Sequence, residues 1–124
     1  MYTLKIKEKF SAAHFLPGYP HECRRMHGHN FFVEAFVQGN TLDEFGILID
    51  FKELKKIVIS AISDYDHFLL NDLADFKELS PSSENISRIC YSKINLLIQQ
   101  KYPDCKLVSV RIWESENCYV EYCE

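Results

Sequence analysis

His27-Gly28-His29-Asn30-Phe31-Phe32-Val33-Glu34-Ala35-Phe36-Val37-Gln38-Gly39 is the segment from which the rest of the chain can be placed. Side chains two apart on a β-strand share a face, so His27 and His29 project together, and Phe31, Val33, Ala35 and Val37 continue that face. The preceding segment, from about Thr3 to His14, alternates in the same way and closes on Phe10-Ser11-Ala12-Ala13-His14. Phe10, Ala12 and His14 share a face there, and antiparallel pairing of the two segments would set His14 opposite the histidine pair. The expectation is one long hairpin around the loop that contains Cys23-Arg24-Arg25-Met26.

Three neutral imidazoles converging on one spot are a metal site in outline. Three protein ligands leave one zinc position open for water or substrate, the pattern of sites that do chemistry, whereas structural sites usually close with four Cys and His ligands. Imidazole also suits copper, iron and nickel, so zinc is one choice among several. An isolated H-x-H is often a surface or half-buried hydrogen-bonded pair, and Cys23 could instead complete a closed four-ligand site. Against closure, Cys23 lies beside Arg24 and Arg25, where positive charge favours a reactive thiolate.

Beyond the hairpin, Asp50-Phe51-Lys52-Glu53 reads as a capping-box start, and Phe51, Leu54, Val58, Ala61 and Ile62 follow at helical spacing. A second helix fits Ser83 to about Lys101, with Ile86, Ile89, Cys90, Ile94, Leu97 and Ile98 as its apolar stripe and Tyr102-Pro103-Asp104 as its end. Strands are expected over Lys106–Glu114 and Cys118–Tyr122. The order strand, strand, helix, helix, strand, strand gives an α+β layer arrangement: an antiparallel sheet with two helices on one face. No short repeat, low-complexity segment or linker interrupts it, and residues 1–124 read as a single domain. Its open strand edges would favour association with further copies.

Composition narrows the class. The chain has 124 residues, 47% of them hydrophobic, enough for one core. Met1 to Lys7 already alternates like a strand, so no signal peptide is expected, and no apolar run reaches membrane-spanning length. Five cysteines without paired spacing fit reduced thiols in the cytoplasm, with Cys90, Cys105, Cys118 and Cys123 read as structural. A formal charge of -4, with no basic cluster beyond Arg24-Arg25, argues against direct nucleic-acid binding.

Two further groups invite a chemical reading. Asp66-His67 could be a solvated helix end, yet an imidazole tuned by a carboxylate can pass protons near neutral pH and activate a thiol. Neighbouring residues point in different directions, so this reading does not require Asp66 to orient His67. Glu114 follows Val108, Val110 and Ile112 on one strand face, either as a frayed end or as a carboxylate aimed into a pocket. Glu84 suits the first turn of the second helix through the helix dipole alone.

These residues together resemble the 6-pyruvoyl-tetrahydropterin synthase superfamily, and within it the bacterial 6-carboxy-tetrahydropterin synthases of queuosine and 7-deazapurine biosynthesis. The resemblance takes in Phe10–His14, Cys23–Asn30, Gly46–Phe51, Asp66-His67 with Leu70-Asn71, Pro81–Asn85 and Glu114. The short gap between Cys23 and His27 is similar to the carboxy-forming branch; the pyruvoyl-forming branch is the alternative. Trp113 and Ser115 around Glu114, and Ser83 before Glu84, depart from the threonine common at matching positions.

The resemblance implies a T-fold, trimers closing into a barrel and stacking as a homohexamer, and active sites between subunits. It implies zinc on His14, His27 and His29, a proton-relay set of Cys23, Asp66 and His67, and a pterin anchored by Glu114 with Glu84 nearby. The implied reaction converts 7,8-dihydroneopterin triphosphate to 6-carboxy-5,6,7,8-tetrahydropterin with release of acetaldehyde and triphosphate. The redox is internal to the substrate, and the chain carries no dinucleotide glycine fingerprint.

Overall fold

The alternating segments form the expected hairpin. A computed structural model describes residues 1–124. Strand β1 (Tyr2–His14) pairs with β2 (His27–Gly39), with Phe10 opposite Phe31, Ala12 opposite His29 and His14 opposite His27. Helices α1 (Phe51–Ile62) and α2 (Ser83–Lys101) follow, then β3 (Lys106–Ser115) and β4 (Cys118–Tyr122). The strands form one antiparallel sheet in the order β1-β2-β3-β4, so β1 and β4 are its edges.

Helix α1 starts as its residues require, with one difference from expectation. Asp50 Oδ1 accepts the Lys52 N–H at 2.7 Å, satisfying an orphan donor of the first turn. Glu53 does not return the favour; it accepts from Lys56 Nζ at 2.6 Å, so the start is a simple N-cap and not a reciprocal capping box. Phe51, expected on the apolar stripe, is 60% exposed, because the first residue of the helix lies before the turn that meets the core. Leu54, Ile57, Val58, Ala61 and Ile62 are the residues that α1 buries.

Helix α2 is capped by Ser82, whose Oγ accepts the Asn85 N–H at 3.3 Å. It buries Ile86, Cys90, Tyr91, Ile94 and Ile98, with Ile89 and Leu97 half-buried at the margin. Tyr102 leaves helical conformation directly before Pro103, which disfavours the α region at the residue it follows. Both helices pack on the face that carries Phe10, Phe31, Val33, Val110 and Ile112, all fully buried. Each large side chain buried there contributes roughly 1.5–3 kcal/mol.

Strand β3 runs one residue further than predicted. A bulge at Phe36/Val37 shifts the register, so Leu107 is buried in place of Val108 and the phase is regained at Val110, Ile112 and Glu114. On the opposite face Glu34 is buried and accepts from Trp113 Nε1 at 2.9 Å and Lys5 Nζ at 3.3 Å. Burial alone would raise this carboxyl; the two hydrogen bonds outweigh it and hold the group below its usual range. No helix is long and apolar enough to cross a membrane.

Candidate active site

The histidines occupy the last rungs of the hairpin, on the face that farther along is core. His14 is 2% exposed, and the rings of His14, His27 and His29 have centroids 4.6 to 5.1 Å apart. His14 Nδ1 lies 2.8 Å from the Pro81 carbonyl, and His27 Nδ1 lies 2.8 Å from the Arg25 carbonyl. A carbonyl only accepts, so in each ring Nδ1 carries the hydrogen and Nε2 keeps a lone pair.

His14 Nε2 is buried without a hydrogen-bond partner. His29 Nε2 comes within 3.3 Å of Glu114 Oε1 but lacks the alignment of a hydrogen bond. Leaving such an atom unsatisfied costs about 1–3 kcal/mol, a cost that a cation would remove. One ligand atom from each of His14, His27, His29 and Glu114 lies within 4.8 Å of all the others, so the donor set fits a metal ion. Burial lowers the His14 and His29 imidazoles below the ordinary histidine value, against opposing effects of Glu114 on both and of Pro81 on His14. That favours the neutral form a metal requires.

Glu114 is held from its other side. Ser83, the first residue of α2, donates through Oγ to Glu114 Oε2 at 2.6 Å. Between these groups opens a cavity of about 210 Å³ bordered by His14, His27, Cys23, Glu84 and Glu114, with Cys118 and Tyr119 from the start of β4. The Cys23 carbonyl accepts the Leu16 N–H at 2.7 Å, which ties the loop back to the end of β1.

Asp66 and His67 stand elsewhere. Asp66 Oδ1 accepts the Ser11 N–H at 2.8 Å, the His67 N–H donates to the Ser11 carbonyl at 2.6 Å, and the Ala13 N–H donates to the Phe68 carbonyl at 3.1 Å. The turn is therefore stitched to the free edge of β1. Asp66 also faces His67, a contact the sequence reading left open: Oδ2 lies 2.9 Å from His67 Nδ1. The Ser11 N–H foremost, and His67 second, hold the Asp66 carboxyl below its usual range. His67 has φ 64°, the left-handed region, which costs a non-glycine residue about 1–3 kcal/mol and persists where the surroundings over-determine it.

Those surroundings centre on Tyr65, fully buried one residue earlier. Its ring packs on Phe10 and Phe76, and its hydroxyl donates to Asp75 Oδ2 at 2.7 Å. Lys93 on α2 reaches the same oxygen at 2.5 Å. The His67 ring is 82% exposed and borders an outer pocket with Gly28 and Asn30, outside the cavity of Cys23.

A family model described as 6-pyruvoyl tetrahydropterin synthase matches residues 3–124. The chain belongs to this family. Among its relatives, the 6-carboxy-5,6,7,8-tetrahydropterin synthase of Bacillus subtilis is 36% identical over 115 residues, covering 87% of this chain and 77% of that protein. The 6-pyruvoyl tetrahydrobiopterin synthase of Dictyostelium discoideum is 30% identical over 105 residues, covering 82% and 73%. The solved 6-pyruvoyl tetrahydropterin synthase of Caenorhabditis elegans superposes with a TM-score of 0.86 at 26% identity, covering 99% of this chain and 95% of the other. The four-stranded sheet with two helices is thus the T-fold of this family.

Within one chain, then, the fold brings His14, His27, Cys23, Glu84 and Glu114 to one cavity, with His29 completing the histidine cluster, and leaves Asp66 and His67 outside it, His67 sharing an outer pocket with His29. Sequence reasoning missed Ser83 as the partner of Glu114, and Tyr119 at the cavity rim. Cys118, read as structural, is exposed and borders the cavity, because β4 begins there, paired with Ser115 next to Glu114. A polar residue at the start of α2 was the available signal for Ser83; nothing local marked Tyr119 or Cys118.

Proposed function

We propose that this protein is a zinc-dependent 6-carboxy-tetrahydropterin synthase. It converts 7,8-dihydroneopterin triphosphate to 6-carboxy-5,6,7,8-tetrahydropterin, with uptake of one water and release of acetaldehyde and triphosphate, on the route to queuosine and other 7-deazapurines. The observation that carries this reading is the 36% identity to the Bacillus subtilis enzyme of that name, together with Cys23 opening into the same cavity as His14, His27 and Glu114.

His14, His27 and His29 would hold the zinc through Nε2, oriented by the Pro81 and Arg25 carbonyls behind two of them. Zinc bound there supplies Lewis acidity toward the hydroxyls of the substrate side chain. Glu114, steadied by Ser83, accepts two parallel hydrogen bonds from the ring N–H and exocyclic amine of the pterin, with Glu84 beside it. Cys23 takes a proton at the side-chain carbon attached to the ring, and His67, held by Asp66, exchanges protons with that thiol. The ring is reduced at the expense of the side chain, so no external reductant enters.

His67 lies outside the cavity of its own chain, so a second copy supplies Asp66 and His67 to Cys23. A hexamer built as a dimer of trimers through the edges of β1 and β4 meets that need, in the cytoplasm. Incubating zinc-loaded protein with 7,8-dihydroneopterin triphosphate should yield acetaldehyde and the carboxy product by mass spectrometry. Triphosphate release with a pyruvoyl product and no acetaldehyde would instead place the chain with its Dictyostelium relative.

A further inference from the structure

The cavity that would take the pterin offers nothing to the rest of the substrate. At about 210 Å³ it has room for a bicyclic ring, no lysine or arginine borders it, and its two carboxylates, Glu84 and Glu114, are on the ring side of the substrate in this reading. It offers a triphosphate tail no guanidinium or ammonium partner. A larger pocket of about 580 Å³, formed by the Tyr19–Arg25 loop, adjoins it through a shared wall at Cys23.

Arg24 and Arg25 border that second pocket, both exposed and neither paired with a carboxylate, whereas Arg111 is engaged by Glu121 at 3.2 Å. Their backbone is fixed. The Arg24 N–H donates to the His21 carbonyl at 3.2 Å and the Arg25 N–H to the Glu22 carbonyl at 2.9 Å. The Arg25 carbonyl also accepts from His27 Nδ1, so the loop that presents these guanidinium groups is the one that orients a candidate zinc ligand. Glu22 borders the pocket too but pairs with neither arginine, and guanidinium forks match phosphate oxygens bidentately.

We propose that Arg24 and Arg25 form the subsite for the polyphosphate tail of the substrate, with the ring in the smaller cavity, the tail in the larger, and the reacting carbon at Cys23 between them. This rests on the reading of the substrate given above. The charge of the tail is then a handle that sets the side chain across the thiol, and the two arginines are specificity-determining residues.

Calorimetric titration with inorganic tripolyphosphate, and separately with phosphate-free 7,8-dihydroneopterin, tests this at matched metal content. The comparison is between wild type and an Arg24→Gln/Arg25→Gln variant, in which the backbone contacts of both residues persist. Loss of a charge-assisted contact weakens binding about tenfold per arginine, so tripolyphosphate should bind the double variant about 100-fold more weakly. Affinity for dihydroneopterin should not change, and KM for the triphosphate should rise more than kcat falls. Arg25→Lys should fall between the two proteins, keeping charge without the fork. Equal tripolyphosphate binding by wild type and double variant overturns the subsite, as does parallel loss of dihydroneopterin. Wild type that shows arginine-dependent tripolyphosphate binding without turnover leaves the subsite standing and overturns the reading of the reaction.

Discussion

The histidine cluster and the Asp66–His67 turn both meet strand β1 and are built by opposite means. His14, His27 and His29 are set by cross-strand register within the hairpin, backed by Phe31 and closed over by Pro81 at the start of α2. Asp66 and His67 hang from the outer edge of β1 by backbone hydrogen bonds, solvent-exposed and in a conformation that needs support from Tyr65, Asp75 and Lys93. The first region is complete in one chain; the second is presented outward. In the proposed function, a metal-ligand set is best pre-organised by rigid elements, whereas a proton relay on an exposed edge would act where another copy meets it.

The sharpest way to break this comparison is His27→Ala. Removing a ligand from a pre-formed cluster should abolish stoichiometric zinc, measured by elemental analysis, and turnover with it. Retained zinc at full stoichiometry would remove His27 from the ligand set. Cys23→Ala and His67→Ala should each reduce turnover about 10²–10⁴-fold with zinc content intact, the range for a lost acid–base group. Refolding the two inactive variants together should restore about a quarter of wild-type activity, since random mixing pairs an intact Cys23 with an intact neighbouring His67 in about one site in four. No recovery would place the relay within one chain.

Smaller effects sharpen the picture of the exposed turn. Tyr65→Phe removes one hydroxyl contact to Asp75 and should cost about 1 kcal/mol of stability in denaturant titration, with a modest fall in kcat and unchanged zinc. The Asp75 carboxyl, which burial alone would raise, is held below its ordinary value of 3.8 by hydrogen bonds from Lys93 and Tyr65. Its stabilising contribution is fully present above that value and is lost as pH falls through the lower folded value. The stability gap between wild type and Asp75→Asn should therefore narrow below about pH 4 in acid unfolding.

Much of the fold was legible because its signals are local. Alternation from Thr3 to His14 and from His27 to Gly39 specified the hairpin, and a shift of one residue would have turned every histidine to the other face. Asp50 marked a helix start that holds, though Glu53 and Phe51 show that a motif names a start without settling each side chain. The bulge at Phe36/Val37 left no sequence trace, since it answers the packing of Leu107 against the helices. Ser83 on Glu114, Pro81 on His14, and Lys93 with Tyr65 on Asp75 join residues far apart in sequence, and no spacing rule reports such pairs.

The sequence by itself determined the strand and helix order, the shared face of the three histidines and, through its motifs, the family. Periodicity and capping are near-neighbour physics, and they survive reading along one dimension. Only the tertiary structure decided that Cys23 and Glu114 share a cavity with His14 and His27 while His67 borders a separate outer pocket. Those positions depend on how the sheet end, the Cys23 loop and the start of α2 pack together, and packing is settled between segments, not within them.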